Sequence, residues 1–235
     1  MKYLKIFLKC GGDVVSSIRT ITSSSAVPDD LAKRLGPAGV NQILLIMWQG
    51  YYDLLADKNI TITEHALEDD ITLEWYGKIF QRWTSENRAT LLRVNKIGPV
   101  HQYPDSTLKK DRGYKPTIDF CFRDWDTTNS YFGAECKNLY NNRKDKIRRY
   151  VETGVRNYEL GRYGAQSSES SIIGYVLSGN ISDIVKDLIS EIASTSPVCN
   201  LSRELRYAEP QYTSKHKRST DKSNITLHHL FFDFT

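Results

Sequence analysis

The sequence predicts an α/β protein, with a mixed central β-sheet flanked by helices. Runs rich in β-branched and aromatic residues at 117–122, 131–137 and 171–177 are typical of β-strands. Segments at 63–84 and 143–164 have the apolar spacing of helices and alternate with these runs along the chain. Strands that alternate with helices in this way indicate helices layered against a sheet.

The composition is that of an ordinary folded domain. The chain has 235 residues, of which 40% are hydrophobic and 26% charged, and these values exclude a mainly disordered chain and a membrane bundle. The opening stretch, MKYLKIFLK, is broken by lysines and is too short for a secretion signal or a membrane span. We therefore expect a cytoplasmic protein with no membrane partner. The net charge of +4 permits a polyanionic partner without requiring one.

The cysteines do not form a metal-binding pattern. They are Cys10, Cys121, Cys136 and Cys199, and no two of them make a C-x-x-C pair. This spacing argues against a zinc cluster, and a cytoplasmic protein is expected to keep such thiols reduced.

The N-terminal part, 1–62, is predicted to be a helical elaboration packed on a core that spans 63–235, within one compact domain. A short helix is expected to begin at Pro28–Asp30, and Gly36-Pro37 is expected to end it. The apolar segment 40–57 follows and is too short to cross a bilayer. It is interpreted as a buried core or docking helix, with a dimer contact as the alternative.

The next predicted helix, 63–84, carries a glutamate within its apolar stripe. Thr63 is a plausible N-cap, because its side chain can accept a hydrogen bond from the first helical turn. The stripe repeats every four residues and consists of Leu67, Ile71, Trp75 and Ile79. Glu68 projects within this stripe, which predicts either a role in a site or a solvated position at the rim.

Two strands then bring charged residues together. A strand is expected at 91–97 and a polar loop at 101–113, before the strand that holds Asp119 between apolar neighbours. On the following strand Glu135 and Lys137 are two residues apart, so their side chains leave the same face. Asp119 and Glu135 side by side would repel each other, and a divalent cation would remove that repulsion.

The C-terminal third is predicted to complete the sheet. Asn180 or Ser182 is expected to cap a helix at 183–193, and further strands are expected at 203–208 and 225–234. Neighbouring residues on a strand face opposite ways, so the adjacent histidines of the last strand cannot bind one metal through the same face. These histidines are His228 and His229, and we interpret both as structural.

The site strands resemble a known family. The motif I-D-F at 118–120, followed by A-E-C-K at 134–137, resembles the PD-(D/E)XK nuclease superfamily. The predicted order over 63–177 is helix, three strands, helix and strand, which is similar to the αβββαβ restriction-endonuclease-like core. The literal Pro104-Asp105 pair is the alternative first half of the motif. Asp119 is preferred over it because Asp119 lies on a strand and has a shorter link to Glu135.

The resemblance implies a set of metal ligands. Asp119, Glu135 and the backbone carbonyl of Cys136 would hold Mg²⁺, and Mn²⁺ is expected to substitute for it. Glu68 would hold a metal-bound water or a second ion, and Lys137 would orient the attacking water or stabilise negative charge at phosphorus. The same predicted helix offers two alternatives to Glu68, namely Glu74 and Glu64.

Two basic regions are candidates for contact with a nucleic-acid backbone. Lys146, Arg149 and Arg156 share one face of the helix that follows the motif. The segment 210–223 is interpreted as a flexible, basic, hydroxyl-rich loop. Its candidate contacts are Lys215, His216 and Arg218. The alternative interpretations are a solvated basic face for the helix and a surface histidine without a catalytic role for His216.

The resemblance implies a metal-dependent nuclease that hydrolyses DNA phosphodiester bonds, in a prokaryotic restriction or anti-phage defence system. One alternative is a catalytically inactive nucleic-acid-binding or assembly subunit with the same fold, and another is an effector that cleaves RNA. Cutting both strands with one site per chain would favour a homodimer, and a larger defence complex is the other assembly considered.

Overall fold

The sheet of this α/β protein is open and mixed. A computed structural model describes residues 30–85, 90–104, 115–125, 130–195, 201–204 and 210–235. Within this part of the chain the strands are β1 (Ile97–Pro104), β2 (Thr117–Asp124), β3 (Tyr131–Tyr140), β4 (Glu169–Ser178), β5 (Ser202–Arg203), β6 (Gln211–Lys217) and β7 (Asn224–Asp233). Their order across the sheet is β1-β2-β3-β4-β7-β6-β5. The pairs β3–β4 and β4–β7 are parallel, and the other neighbours are antiparallel.

Helices cover both faces of this sheet. They are α1 (Leu31–Ala56), α2 (Glu68–Thr84), α3 (Thr90–Val94), α4 (Lys144–Arg149), α5 (Arg156–Glu159) and α6 (Ile181–Thr195), with a π-helix at Tyr150–Val155 between α4 and α5. The mixed α/β class predicted from the sequence is therefore confirmed. Among the described residues, no helix combines the length and the apolar character that crossing a membrane requires.

One face of the sheet is covered by α1 and α2. Trp75 on α2 is fully buried, and its indole nitrogen donates a hydrogen bond to the backbone oxygen of Met47 on α1 at 3.1 Å. Tyr51 on α1 stacks on Phe232 of β7 with ring centroids 4.5 Å apart. The segment 40–57 is thus a core helix. Burial of these aromatic rings holds α1 to the sheet, because each Å² of apolar surface removed from water contributes about 25 cal/mol of stability.

The other face is covered by α4, the π-helix, α5 and α6. Tyr150 and Tyr158 are both fully buried against the sheet, although they are eight residues apart. In an uninterrupted α-helix, residues with that spacing point about 80° away from each other. The wide π turn between them takes up one residue, so both rings reach the sheet.

The N-terminal helix is bent where a break was predicted. Gly36 has φ 64° and ψ −178°, a conformation that glycine adopts without steric cost. The helix resumes at once, because Pro37 is suited to the first position of a new helical segment. Part of the predicted start, Pro28–Asp29, lies outside the described residues. Asp30 is the N-cap, and its carboxylate accepts a hydrogen bond from the backbone nitrogen of Lys33 at 3.2 Å.

The predicted helix at 63–84 begins five residues later than expected, at Glu68. Thr63 is not its cap, and the backbone oxygen of Thr63 instead accepts from the nitrogen of Ala66 in a separate turn at 3.0 Å. Three consecutive acids, Glu68, Asp69 and Asp70, form the first turn. They favour a helix that begins there, because negative charge is stabilised at the positive end of the helix dipole.

The strand predicted at 91–97 is wrong. Residues 90–94 form α3, and the strand β1 begins at Ile97 and continues through part of the predicted loop. Lys96 has φ 56°, and this left-handed residue separates the helix from the strand. Asp105, the alternative first acid of the motif, lies outside the described residues.

The segment 210–223 was also interpreted incorrectly as a flexible loop. Its first part is β6, which pairs with β7 from Gln211 to Lys217. Ser214 and His216 point inward, whereas Lys215 and Lys217 are exposed, which is the alternation of a strand. Of the strand predicted at 203–208, only the beginning at Ser202–Arg203 is described as a strand, and residues 205–209 lie outside the description.

Asn180 caps α6, as predicted. Its side-chain oxygen accepts a hydrogen bond from the backbone nitrogen of Asp183 at 3.1 Å. The inner face of α6 is apolar and includes Ile184, Leu188 and Ile192, all of which are buried. The next described strand, β5, lies at the far edge of the sheet.

Candidate active site

Three elements bring the predicted site residues to one place. The ammonium nitrogen of Lys137 on β3 lies 2.8 Å from Glu135 Oε1 and 3.0 Å from Glu68 Oε1 of α2. It lies 3.9 Å from Asp119 Oδ2 on β2, and it also donates to the backbone oxygen of Cys136. We call Glu68, Asp119, Glu135 and Lys137 the acid–lysine cluster. Glu74 and Glu64, the alternatives to Glu68, are exposed, and neither is among the described ion-pair partners of Lys137.

The position of Asp119 follows from how β2 and β3 pair. The paired residues of this ladder run from Arg123 opposite Tyr131 to Phe120 opposite Ala134. One residue further, the Asp119 carboxylate accepts a hydrogen bond from the backbone nitrogen of Cys136 at 2.7 Å. A side chain thus takes the place of a backbone acceptor, which satisfies the Cys136 N–H and turns the acid toward Glu135.

Glu68 is held by residues for which the sequence predicts no role in the site. The backbone nitrogen of Asn138 donates to Glu68 Oε2 at 3.1 Å, and its side-chain nitrogen donates to the backbone oxygen of Ala66 at 2.9 Å. The Thr72 hydroxyl donates to the backbone oxygen of Glu68 at 2.7 Å. A polar residue directly after the Glu-x-Lys motif was the signal in the sequence that could have identified Asn138.

A second set of hydrogen bonds joins the first turn of α2 to the centre of the sheet. The Tyr175 hydroxyl on β4 lies 3.0 Å from the Thr72 hydroxyl and 3.2 Å from the Cys136 sulfur. All three side chains are buried. The start of α2 is therefore fixed against the strand that carries Glu135 and Lys137.

The acid–lysine cluster has more negative than positive charge. Glu135 and Lys137 are each 4% exposed, and three carboxylates surround the single buried ammonium. The only other cation that pairs with these acids in the described chain is Arg149, which is largely exposed and whose guanidinium lies 3.9 Å from Glu68 Oε1. The second carboxylate oxygen of Glu135, Oε2, is buried and has no hydrogen-bond partner among the described residues.

Burial decides the direction of the pKa shift for the two strand acids, and the surrounding charges decide it for Lys137. It raises the pKa of Glu135 to about 8, even though the nearby Lys137 favours the charged carboxylate. Burial also raises the pKa of Asp119, against the opposing effects of Lys137 and the Cys136 N–H. For Lys137, burial would lower the pKa, but Glu135, Asp119 and Glu68 together raise it above its ordinary range. Lys137 therefore remains a cation.

The donor set suits a hard divalent cation. It consists of oxygens only, from Glu68, Asp119, Glu135 and the Cys136 carbonyl, which are the ligands that Mg²⁺ and Mn²⁺ accept. The unpartnered Oε2 of Glu135 is an acceptor that a cation would satisfy. No set of three or more described His, Cys, Asp or Glu side chains is gathered closely enough to form a metal cage. The carboxylates instead surround the Lys137 ammonium.

The candidate nucleic-acid contacts divide into two groups. The first group lies on the helical segment that follows β3, where Arg149 and Arg156 are exposed and Lys146 is half-buried. Within this group, Arg149 lies at the rim of the acid–lysine cluster. Lys215 is exposed on β6, which is three strands from β3. At about 4.8 Å between strands, that separation is about 14 Å.

Two residues predicted to contact nucleic acid are buried, which corrects that prediction. His216 and Arg218 are each 2% exposed. Arg218 donates to the backbone oxygens of Gly164 and Ser167, both at 2.6 Å. These bonds join the end of β6 to the loop before β4, so Arg218 is a structural residue.

His216 belongs to a continuous chain of buried hydrogen bonds. It joins Tyr150 Oη to His229 Nδ1 at 2.9 Å, His229 Nε2 to Ser214 Oγ at 2.7 Å, Ser214 Oγ to His216 Nε2 at 2.6 Å, and His216 Nδ1 to Glu159 Oε1 at 2.7 Å. We call these five residues the histidine chain. It contains the Ser–His–acid order of nucleophilic catalysis. However, Ser214 and His216 are each 2% exposed, so a substrate cannot reach the hydroxyl, whereas the Glu68 and Asp119 side chains of the acid–lysine cluster are 18% and 23% exposed.

The adjacent histidines of β7 make separate contacts. His229 belongs to the histidine chain, whereas His228 Nε2 lies 2.8 Å from Glu169 Oε2 at the start of β4.

No protein-family model, curated protein or solved structure matches this protein. What the site can do chemically must therefore be inferred from its own residues.

Proposed function

We propose that this protein is a metal-dependent nuclease that hydrolyses phosphodiester bonds in DNA. The observation that carries the proposal is the convergence of Glu68, Asp119, Glu135 and Lys137 from three separate elements. Acids buried this close together destabilise a fold unless a cation compensates them, so such a cluster indicates function more than stability.

The arrangement of elements supports the same reading. From α2 to β4 the main elements of the described chain are a helix, three antiparallel strands, a helical segment and a parallel strand. This order is similar to the αβββαβ core of the PD-(D/E)XK superfamily. The acid–lysine cluster lies where β2 and β3 stop pairing, which leaves its side chains next to the open end of the ladder.

The chemistry follows from the ligands and the lysine. Asp119, Glu135 and the Cys136 carbonyl would hold a divalent cation, with Glu68 binding it directly or through a water. When bound, such an ion supplies an acidified water and neutralises charge on the scissile phosphate. Lys137 would donate hydrogen bonds to the attacking water or to the phosphoryl oxygen that gains charge.

The basic rim supplies the binding of the substrate backbone. Arg149 lies next to Glu68 and is exposed, so its forked guanidinium can bind a phosphate adjacent to the one under attack. Lys146 and Arg156 extend the cationic surface along the same helical segment. Positioning of the phosphate and electrostatic stabilisation would together supply the rate.

Cleavage assays test this function directly. Wild-type protein is incubated with plasmid DNA, single-stranded DNA and RNA in Mg²⁺ or Mn²⁺, and compared with the D119N variant, which keeps the shape of the side chain. We expect cleavage of DNA that leaves 5′-phosphate ends, and a loss of about 10³-fold or more in D119N. Asp183→Asn, which changes an exposed acid on α6, is the matched control and should cleave as the wild type does.

The proposal fails if the wild-type protein cleaves none of these substrates in either metal, or if D119N keeps its activity. Cleavage of RNA alone would replace the DNA substrate by RNA while leaving the site assignment in place.

A further inference from the structure

The Lys137 ammonium contacts the same oxygens that would bind a divalent cation. It lies 2.8 Å from Glu135 Oε1 and 3.0 Å from Glu68 Oε1, and it donates to the Cys136 carbonyl. The nearest oxygen of Asp119 is 3.9 Å away. The side chain of Lys137 is 5% exposed, so the ammonium fills the space between the acids and does not extend into solvent.

A divalent cation and this ammonium cannot share that space. An ion such as Mn²⁺ or Mg²⁺ binds carboxylate and carbonyl oxygens at about 2.0–2.2 Å, using the lone pairs that now accept hydrogen bonds from Lys137. Two cations in contact with the same oxygens would also repel each other strongly in a buried site. Binding of a metal therefore requires Lys137 to move.

We propose that Lys137 is a tethered counter-ion, which occupies the cation position in the metal-free protein and is displaced when a divalent cation binds. This inference rests on the cation site of the proposed function. It gives Lys137 a positioning role: the ammonium keeps Glu68, Asp119 and Glu135 together before the metal arrives. It also makes the catalytic lysine available to a phosphate only after the cation is in place.

Two features of the cluster agree with this role. A monocation cannot fully replace a divalent one, and Glu135 Oε2 is left buried without a partner in the described chain. In addition, a lysine stem has four methylene groups and several rotatable bonds, so a change of rotamer can move the ammonium while the backbone of β3 stays in place.

The first test measures cation affinity without any substrate. Mn²⁺ binding is measured by calorimetry and by electron paramagnetic resonance for the wild type, for Lys137→Met and for Lys78→Met. Lys78 is the matched control, because its side chain is only 14% exposed and pairs with the Asp57 carboxylate, outside the acid–lysine cluster and the basic rim. If the ammonium occupies the site nine-tenths of the time, removing it should tighten Mn²⁺ binding about tenfold.

A second measurement uses the wild-type protein, so it does not depend on whether K137M folds. Lysines are acylated with an amine-reactive reagent, with and without Mn²⁺, and each modified lysine is quantified by mass spectrometry. We expect Lys137 to become several-fold more reactive when Mn²⁺ is present, while the reactivity of Lys78 stays constant. Unchanged or lower reactivity of Lys137 would overturn the inference, as would a K137M affinity equal to or weaker than that of the wild type.

These outcomes separate the inference from the proposed function. If the wild type cleaves DNA but neither Mn²⁺ affinity nor Lys137 reactivity changes as expected, the tethered counter-ion is wrong and the nuclease stands. If the wild type cleaves nothing but both measurements change as expected, the counter-ion stands and the nuclease is wrong. If neither the wild type nor K137M binds Mn²⁺, both proposals are wrong.

Discussion

Two buried polar clusters lie in the same sheet and satisfy their polar groups differently. The histidine chain, which crosses β6 and β7 to the π-helix, pairs its side chains in sequence from Tyr150 to Glu159. The acid–lysine cluster, between β2, β3 and α2, places three carboxylates around one ammonium and leaves Glu135 Oε2 without a partner in the described chain.

The difference fits a structural role for the histidine chain and the proposed cation-binding role of the acid–lysine cluster. A buried network in which every member has a partner stabilises one arrangement of the chain. A cluster with excess charge and an unsatisfied oxygen stores a cost that a ligand can remove. The two clusters should therefore respond in opposite ways to mutation and to pH.

The largest contrast is expected from Glu135→Gln. This change removes a proposed cation ligand, so cleavage should fall about 10³-fold or more. It should also raise the free energy of unfolding in metal-free buffer by about 2 kcal/mol, because a buried acid with a raised pKa is replaced by a neutral amide. Cleavage rates and urea denaturation of the same samples check both effects. A variant that is less stable than the wild type would contradict the comparison.

The opposite result is expected from Ser214→Ala. Its hydroxyl bridges His229 and His216, so the variant leaves two buried ring nitrogens without that partner. We expect a loss of about 2–3 kcal/mol in the free energy of unfolding, with unchanged cleavage per folded molecule. Ser219→Ala, which changes an exposed hydroxyl on the Glu159 carbonyl, is the control and should cost less than about 0.5 kcal/mol. Loss of cleavage in folded S214A would show that the histidine chain serves the site.

The pH dependence of stability should also differ in sign. Burial raises the folded-state pKa of Glu135 from 4.5 to about 8, so its contribution is greatest below pH 4.5 and is lost as pH rises through 8. Burial lowers the pKa of His229 well below 6.5, so its contribution is complete above pH 6.5 and is lost as pH falls. Each group contributes a slope of about 1.4 kcal/mol per pH unit in its own window.

Denaturation in metal-free buffer can separate these slopes. Between pH 6.5 and 8 the wild type should lose stability as pH rises, and E135Q should not. Below pH 6.5 the two slopes oppose each other in the wild type, so E135Q should show the steeper acid decline. Parallel profiles for the two proteins would contradict the assignment of the alkaline slope to Glu135.

The smallest effect is expected from Asn138→Ala. The variant loses the hydrogen bond to the Ala66 carbonyl but keeps the backbone N–H that holds Glu68. We expect a cost of about 1 kcal/mol in stability and Mn²⁺ binding weaker by a few-fold, because Glu68 is held less firmly. Calorimetric titration measures the affinity. Unchanged Mn²⁺ binding would show that Glu68 does not depend on Asn138 for its position.

The sequence predicted the centre of the sheet well and its margins poorly. The strands β2, β3 and β4 have apolar or β-branched faces, so their period is visible in the residues. Asp119, Glu135 and Lys137 come close together because side chains alternate along β2 and β3 and because the connection between these two strands is short. β6 was missed because its inward residues include Ser214 and His216, which are buried through hydrogen bonds and not through hydrophobicity.

Tertiary contacts account for the other differences. The start of α2 is fixed by Asn138, Thr72 and Tyr175, which are distant in sequence from one another and carry no local helix signal. The short helix α3 lies where a strand was expected, and no periodic pattern over five residues distinguishes the two. Glu68 was nevertheless identified, because a glutamate within an apolar stripe is visible without knowing where the helix begins.

The π turn at 150–155 makes the length of this segment matter as much as its composition. Glu152 and Thr153 lie within it and are exposed. Deleting one of them should convert the wide turn to an ordinary α-helical one and leave Tyr150 and Tyr158 where they are. Deleting Asn157 instead should rotate Tyr158 by about 100° away from the Ser171 carbonyl that it now contacts. Single-residue deletions should therefore be tolerated at one turn of this helix and not at the next.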